Sequence, residues 1–191
     1  TFFTEYHHHG TFICHDFLLL EKLRTEDERY DLILVHDVIE HIEPSYKRDF
    51  VLHIKSFLKQ DGIVFFGFPA WQNPFGGHQQ ISVGMASKLP FIHLLPKPLY
   101  KDLLKASGAT ASNIGELMSI RASQMTVERF ERLVSEVGYT ICQRTLWFIN
   151  PHYKQKFHIN PRRLWTFLAC IPYIRNFYTT SAWYILRQTQ Q

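Results

Sequence analysis

The chain has 191 residues, of which 46% are hydrophobic, 20% charged and 15% aromatic. This composition excludes a disordered or collagen-like chain and predicts one globular domain with a substantial core. The longest nearly uncharged apolar run near the C-terminus, residues 164–174, is too short for a membrane-spanning helix, which needs about 20 residues. We therefore expect a domain that does not cross a membrane.

The spacing of the cysteines indicates the cellular compartment, and the distribution of charge indicates which partners the chain could attract. Cys14, Cys142 and Cys170 are far apart and form no CxxC pair, which favours a reducing compartment, predicts a cytoplasmic location and argues against a structural zinc site. The net charge is +4, but after Glu136 there are no acids and seven basic residues: Arg144, Lys154, Lys156, Arg162, Arg163, Arg175 and Arg187. This basic C-terminal part is either a solvated surface or an attractor of anions.

The first half of the chain reads as strands joined by a helix. Residues 11–16 form a short β-rich run, and residues 30–35 form a continuous apolar run typical of a buried strand. The next segment has an apolar stripe at helical spacing, with Ser45 as its N-cap and Asp61-Gly62 as its end. Residues 62–69 follow as another strand. This order predicts a right-handed βαβ unit with parallel strands.

The second half begins with a long irregular stretch. Residues 70–125 are rich in Gly, Pro and aromatic residues, and predict a lid or substrate-binding insertion whose best helix is at 99–105. A helix then starts after the N-cap Thr126 and stops at Gly138. Two strands are predicted at 139–150 and 177–188, separated by a basic insert with a short helix near 161–169.

Polar residues follow three of the predicted strands. Asp16 ends the first, residues 36–43 contain five ionisable groups after the second, and residues 69–80 follow the third. Ligands bind beyond the carboxyl ends of strands in open parallel sheets, because the loops diverge there. The sequence therefore predicts that these segments converge on one crevice.

The stretch "YDLILVHDVIEHIEP...SFLKQDGIVFFGFP" resembles the second half of a class I S-adenosylmethionine-dependent methyltransferase domain, and the likeness extends over residues 12–69. The order of an acid after one strand, a "DVLEH"-like strand end, a helix and a further strand is that of the family. The resemblance implies a Rossmann-like α/β fold, with a mostly parallel sheet, helices on both faces and a terminal antiparallel strand pair. The alternative is a doubly wound α/β fold outside this family, which would show the same pattern of strands and helices.

The resemblance also implies a cofactor site for S-adenosyl-L-methionine. Asp16 matches the acid that accepts a hydrogen bond from the adenine amino group, and Phe17 lies beside the ring. His36, Asp37 and Val38 match the loop that borders the methionine part and the sulfonium. The alternatives are that Asp16 caps the helix or turn that follows it, and that Asp37 stabilises its own loop.

The chain departs from the family at one point. The glycine-rich turn and the acid that holds the ribose precede the matching segment in the family, and neither is present here. We expect that this sequence is N-terminally truncated and binds the cofactor weakly or not at all. In this interpretation residues 1–69 belong to the cofactor-binding half, 70–125 form the lid, and 126–191 complete the same domain.

Two histidines are the candidate catalytic groups. Methyl transfer to a hydroxyl needs a base, and histidine is the side chain most easily adjusted for that role. His78 follows two glycines that would let the backbone approach a ligand, and His41 belongs to the "EH" of the strand end. Their alternative roles are structural: His78 caps a loop, and His41 braces the strand-end loop by hydrogen bonding.

Further candidates lie in the lid and at the N-terminus. Trp71, Phe75 and Gln79 are candidate substrate contacts, although the two aromatic residues would equally suit the core of the lid. Residues 7–9 are three adjacent histidines, which point in different directions in a helix or strand. We predict no metal site there or elsewhere.

The function predicted is S-adenosylmethionine-dependent methyl transfer to a small-molecule acceptor that the sequence does not identify. The alternative is a catalytically inactive methyltransferase-like module that binds an anionic partner or a membrane surface through the basic C-terminal part. A nucleotide-binding reductase is a third reading, without a visible dinucleotide fingerprint to support it. No nucleic-acid partner is expected, and the sequence does not indicate the oligomeric state.

Overall fold

The structure, a computed structural model, describes residues 10–11 and 13–189. The described part contains five strands: β1 (Tyr30–His36), β2 (Leu58–Phe68), β3 (Tyr139–Ile149), β4 (Arg162–Arg163) and β5 (Ser181–Gln188). It contains seven α-helices: α1 (Lys47–Ile54), α2 (Lys97–Ala106), α3 (Ala111–Ser123), α4 (Val127–Glu136), α5 (His152–Phe157), α6 (Thr166–Ala169) and α7 (Arg175–Tyr178). The predicted α/β class is confirmed.

The strands form one mixed sheet in the order β1-β2-β5-β3-β4. β1 and β2 are parallel, as the βαβ pattern predicts. The other three pairings are antiparallel, because β5 returns between β2 and β3, and β4 adds to the far side of β3. The predicted terminal antiparallel pair is present, but the sheet is mixed rather than mostly parallel.

The main core lies on one face of this sheet. Val64, Phe66 and Phe68 alternate inward from β2, and they share a buried cluster with side chains of α1 and α4. On the opposite face the edge strand β1 is open, where Leu34 is 63% exposed. The helices predicted for both faces thus cover the β1–β2 pair mainly on one face.

Three local predictions in the first half need correction. The described residues of the run 11–16 form no strand, and a 3-10 helix at Phe17–Leu19 follows them. α1 begins after Tyr46 without a side-chain cap from Ser45. Strand β2 starts at Leu58, before the predicted helix end at Asp61-Gly62, because parallel pairing with Tyr30 already begins there. The histidines at 7–9 lie outside the described residues.

The predicted start and end of α4 are confirmed in detail. The Thr126 side chain accepts a hydrogen bond from the Arg129 amide at 3.1 Å. Gly138 ends the helix with a φ of 75°. Residues that carry a Cβ atom rarely adopt this left-handed conformation. Val127, Phe130 and Val134 are buried on the sheet, as their spacing predicts.

Residues 70–125, the segment predicted to be a lid and called the lid segment below, have a small core of their own. The predicted helix 99–105 is observed as α2, and its Tyr100 and Leu104 pack with Ile114 and Leu117 of α3. A second short helix was expected in this segment without bounds, and the structure has it as α3, where Ser112, Asn113 and Gly115 weaken the helical pattern. Its N-terminus is fixed by Thr110, whose hydroxyl accepts from the Asn113 amide at 3.2 Å.

The basic insert between β3 and β5 contains α5, β4, α6 and α7, with the predicted short helix observed at Thr166–Ala169. The strand predicted from residue 177 begins only at Ser181, because α7 occupies residues up to Tyr178. Among the described residues, no helix combines the length and hydropathy needed to cross a membrane.

Candidate functional site

His36 stands at the carboxyl end of β1 and is held by its neighbours. Its Nδ1 lies 3.0 Å from Oδ2 of Asp37, and this hydrogen bond raises the pKa of His36 against the effect of burial. The imidazole lies beside Gly67 of β2, where an added Cβ would come within 2.5 Å of His36 Cδ2. Asp37 adopts a left-handed φ of 53°, and its amide donates to Gly67 at 2.8 Å. The chain thus turns sharply at the strand end.

Glu40 lies inside this turn and is only 4% exposed. Neither of its carboxylate oxygens has a hydrogen-bond partner among the described residues. Burial raises the pKa of Glu40 to about 8 and Asp37 adds to the shift, whereas the backbone amide of Glu40 itself, Lys47 and His36 oppose it. A buried carboxyl group without a side-chain partner is costly to folding, which makes Glu40 a candidate functional residue.

His41 and His78 face the same oxygen of Glu40. The Nε2 atoms lie 4.0 Å (His41) and 3.9 Å (His78) from Glu40 Oε1, and the ring centroids are 4.9 Å apart with nearly perpendicular planes. Burial, reinforced by His41, lowers the pKa of His78 to about 4. The structure therefore brings together the two predicted catalytic histidines with a carboxylate that was not assigned a role.

Lys47 braces the turn from α1. Its Nζ donates to the carbonyl of Ile39 and, at 2.6 Å, to the hydroxyl of Ser123 at the end of α3. Burial lowers the pKa of Lys47 to about 8. Since Ser123 belongs to the lid segment, this contact fixes the lid to the strand-end turn.

A cavity of about 490 Å³ opens beside this cluster. Its lining comes from the strand ends, the lid and the segment around α5: Asp37, His41, Pro69, Asn73, Phe75, His78, Gln80, Asn150, His152, Tyr153, Lys156, Phe157 and Thr180. The size suits a small-molecule ligand. Aromatic, imidazole and amide groups dominate the lining, so a ligand with both apolar and hydrogen-bonding parts fits it.

The two glycines before His78 have a packing role. A Cβ at Gly77 would overlap the side chain of His93, and a Cβ at Gly76 would overlap the carbonyl of Trp71. His93 is fully buried and bonds through Nε2 to that carbonyl at 2.7 Å. The glycines therefore let the loop close onto His93, which holds His78 against Glu40. Approach to a ligand is not needed to explain them.

The three predicted substrate residues lie in different places. Phe75 lines the cavity. Trp71 is buried in edge-to-face contact with His93, with ring centroids 4.6 Å apart, and does not line the cavity. The fully buried Gln79 donates from Nε2 to Pro74 at 2.9 Å and to Leu89 at 3.1 Å, so it braces the loop. Its neighbour Gln80 faces the cavity instead.

The predicted adenine contacts lie apart from this cavity. Asp16 accepts a hydrogen bond from the Leu18 amide at 3.0 Å and caps its own 3-10 helix. The Phe17 ring packs against Phe50, His53 and Phe57, at 5.0–5.3 Å between centroids. Of the predicted cofactor loop, Asp37 lines the cavity, whereas Val38 is part-exposed beside it.

Glu40, Asn73, Gln80 and Tyr153 are the main site residues that the sequence analysis did not assign. Glu40 could have been proposed as a site residue from the sequence, because an acid directly before His41 at a strand end is unusual in a buried turn. The other three carried none, since their position depends on how the lid and the α5 segment fold back over the sheet.

Comparison with known proteins adds a fold-level likeness. No family model matches the chain, and no curated protein matches its sequence. A phosphoethanolamine N-methyltransferase 2 from Haemonchus contortus, in complex with S-adenosyl-L-methionine, is 15% identical with a TM-score of 0.43, over 92% of this chain and 36% of that chain. PKMT2 from Rickettsia typhi is 11% identical with a TM-score of 0.40, over 91% and 37%.

A proposed Zn-dependent alcohol dehydrogenase from Rhodobacter sphaeroides is 13% identical with a TM-score of 0.46, over 89% of this chain and 64% of that chain. The chain thus spans about a third of the length of the two methyltransferases. Because methyltransferase and dehydrogenase structures align about equally well, the alignments by themselves assign no activity to this chain.

Proposed function

We propose that this chain is part of an S-adenosylmethionine-dependent methyltransferase that acts on a small-molecule acceptor. The observation that carries the proposal is the cavity at the carboxyl end of β1 and β2, bordered by the turn that resembles the family's methionine-binding loop. The antiparallel pairing of β3 with β5 supports it, since the resemblance implies this closing pair.

The residues present fit one end of the cofactor. Asp37 borders the cavity where the resemblance puts the methionine part and sulfonium. The adenine end is not matched, because Asp16 is occupied by its own helix cap and Phe17 by the side chains around α1. Asp16 and Phe17 therefore do not supply the adenine contacts in this structure.

The bound cofactor supplies a methyl group that its sulfonium already activates. The protein then has to hold the acceptor in line with that methyl group, an effect worth about 7–11 kcal/mol when well oriented. Phe75, Asn73 and Gln80 line the side of the cavity from which an acceptor would be held. His41 and His78 are the imidazoles that line the cavity and are placed to take a proton from a hydroxyl acceptor. The lowered pKa of His78, about 4, keeps it neutral but makes it a weak base.

Calorimetric titration tests the cofactor assignment. The protein should be produced with whatever coding sequence precedes Thr1 and titrated with S-adenosyl-L-methionine and, separately, with NADH. We expect heat with the first ligand only, and weaker binding after Asp37→Ala. A matched control is Asp49→Ala, which changes an exposed acid on α1 away from the cavity. A folded protein without affinity for S-adenosylmethionine would refute the proposal.

A specific surface supports membrane contact as a second property. In the C-terminal part, Trp165 is 57% and Phe167 65% exposed, and their stacked rings stand beside the exposed Arg162 and Arg163. Within residues 13–189 no carboxylate pairs with either arginine, whereas Arg175 is paired with Glu128. Exposed aromatic rings flanked by cations suit the interface of an anionic bilayer.

Vesicle co-sedimentation tests this contact. Phosphatidylcholine vesicles with about 30% phosphatidylserine should bind the protein in a salt-sensitive manner. The double variant Trp165→Ala/Phe167→Ala should lower the partition coefficient about tenfold. Met85→Ala, which removes an exposed side chain of the lid, is the control and should change nothing. Salt-sensitive binding without any cofactor affinity would favour the inactive-module alternative, and absence of vesicle binding removes this surface from consideration.

A further inference from the structure

We propose that Glu40, His41 and His78 form a binding site for one divalent transition-metal ion of the Zn²⁺ type. Each of the three offers one ligand atom, and these atoms lie within 4.8 Å of one another. Two segments that are far apart in the sequence build the site: the turn after β1 and the loop that leads into the 3-10 helix Gln79–Ile81.

The separations suit a shared ion better than direct hydrogen bonds. Both Nε2 atoms are about 4 Å from Glu40 Oε1, beyond hydrogen-bond reach. In a tetrahedral site with bonds of about 2.1 Å, neighbouring ligand atoms are about 3.4 Å apart. Side-chain rotations that shorten these separations by about 0.5–1.4 Å would therefore close the three groups around one ion.

The second observation is the state of Glu40. It is buried to more than nine-tenths, and neither oxygen has a partner among the described residues. Lys47, the cation on the adjoining helix, donates instead to the Ile39 carbonyl and to Ser123. A buried carboxylate lacking protein partners, with two imidazoles turned towards it, is what a metal site looks like without its ion.

The ligand types select the class of metal. Two imidazole nitrogens and one carboxylate oxygen suit Zn²⁺, Co²⁺, Fe²⁺ or Mn²⁺, whereas Mg²⁺ and Ca²⁺ prefer oxygen ligands throughout. Three protein ligands leave at least one coordination position open, as in catalytic rather than structural sites. Because His41 and His78 both line the cavity, that position faces the cavity.

The role of the ion rests on the proposed function, whereas its binding does not. A divalent ion at this position would bind the acceptor through its hydroxyl oxygen and lower the pKa of that hydroxyl, whose proton would pass to solvent water before the oxygen takes the methyl group from the sulfonium. The histidines would then act by holding the ion, in place of taking the proton themselves. The acceptor class indicated is a small molecule that presents a hydroxyl group, such as a phenol.

The test is calorimetric titration with ZnCl₂ after chelator treatment, followed by metal analysis of the dialysed protein. The parent protein should carry His7→Gln, His8→Gln and His9→Gln, so that the three adjacent histidines add no background. We expect one Zn²⁺ per chain, and affinity lower by at least about 100-fold in Glu40→Gln, His41→Gln and His78→Gln. MgCl₂ should give no comparable heat.

His152→Gln is the matched control, since this histidine lines the same cavity outside the cluster and its loss should leave Zn²⁺ binding unchanged. Thermal unfolding of each variant without metal shows whether it is folded, and Zn²⁺ should raise the melting temperature of the parent but not of Glu40→Gln. No stoichiometric Zn²⁺ binding, or equal binding by the parent and all three variants, would overturn the site. Since no S-adenosylmethionine is present, that result would leave the proposed function standing.

Discussion

Two groups of ionisable and polar side chains differ in how their members are paired: the network of Glu128, Glu131, Arg175 and Asn176, and the cluster of Glu40, His41 and His78. In the first, Arg175 Nε donates to Glu128 at 2.9 Å and Nη2 donates to Glu131 at 3.3 Å. Asn176 donates to Glu128 at 2.6 Å. In the second, Glu40 has no such partner within residues 13–189.

The pKa values follow this difference. Burial opposes ionisation of Glu128, but bonds from the Tyr173 amide, Asn176 and Arg175 outweigh it and lower its pKa. Burial of Glu40 is not compensated in this way, and its pKa rises to about 8. The paired network therefore holds α7 against α4, while the unpaired cluster is arranged for something that arrives from outside.

The largest effect is expected from breaking the paired network. Arg175→Met should lower the free energy of unfolding by about 3–5 kcal/mol, because the part-buried Glu128 and Glu131 would lose the buried cation that both of them contact. Urea denaturation followed by circular dichroism measures it. The control is Arg144→Met, which removes a more exposed partner of Glu131 and should cost about 1 kcal/mol or less. Equal losses in the two variants would contradict the contrast.

His93 is intermediate between the paired network and the unpaired cluster, because only its Nε2 has a hydrogen-bond partner. Its burial predicts that the stability of the protein depends on pH. Burial, with Arg121 and His78 nearby, lowers its pKa from 6.5 to about 4. The unfolded chain therefore binds more protons between pH 6.5 and pH 4, so stability is complete above pH 6.5 and falls as the pH drops. Relative to His93→Gln, the parent should lose about 3 kcal/mol more between pH 7 and pH 4.

Urea unfolding at several pH values between 4 and 7 provides the measurement. His78 also has a lowered pKa and contributes in the same direction in both proteins. The comparison with His93→Gln cancels this contribution, together with that of the other acids and bases. Parallel curves for the two proteins would show that His93 is not buried in its neutral form.

Gly77→Ala tests whether the loop before His78 is held by packing. The new Cβ overlaps His93, so we expect a loss of about 1–3 kcal/mol in stability and displacement of His78 from Glu40. Gly115→Ala is the control: nothing lies within 4 Å of its added Cβ in the middle of α3, and a gain of about 0.5–1 kcal/mol is expected. Thermal unfolding of both variants measures these changes in stability. A Gly77→Ala variant with unchanged stability would argue against the packing role.

The smallest effect has the opposite sign. In chelator-treated protein, Glu40→Met should raise the free energy of unfolding by about 1–2 kcal/mol, because a side chain of similar size removes a buried polar group without partners. Guanidinium unfolding at pH 7 measures the difference. A loss of stability in this variant would mean that Glu40 has a structural partner, and the two clusters would then be alike.

Much of the fold could be predicted from local sequence. The cap Thr126, the stripe from Val127 to Val134 and the stop at Gly138 are short-range features, and the structure has all three. The strand predicted at 11–16 was wrong, since its described residues lie outside the sheet. The run has the composition of a strand, but composition does not determine whether a neighbouring strand is available for pairing. The bounds of helix α3 were not predicted for the converse reason, because packing of Ile114 and Leu117 in the lid core outweighs the weak propensity around Gly115.

By itself, the sequence determined that a polar turn follows a buried strand, since hydrophobic periodicity and the following helix are encoded within a few residues. Only the tertiary structure decided that His78 faces Glu40 and that, among residues 10–11 and 13–189, no group hydrogen-bonds to the Glu40 carboxyl. Those facts depend on closing the loop at Gly77 onto His93 and on the lid contact from Ser123 to Lys47. Contacts between residues so distant in the chain depend on the whole packing arrangement, which no local pattern specifies.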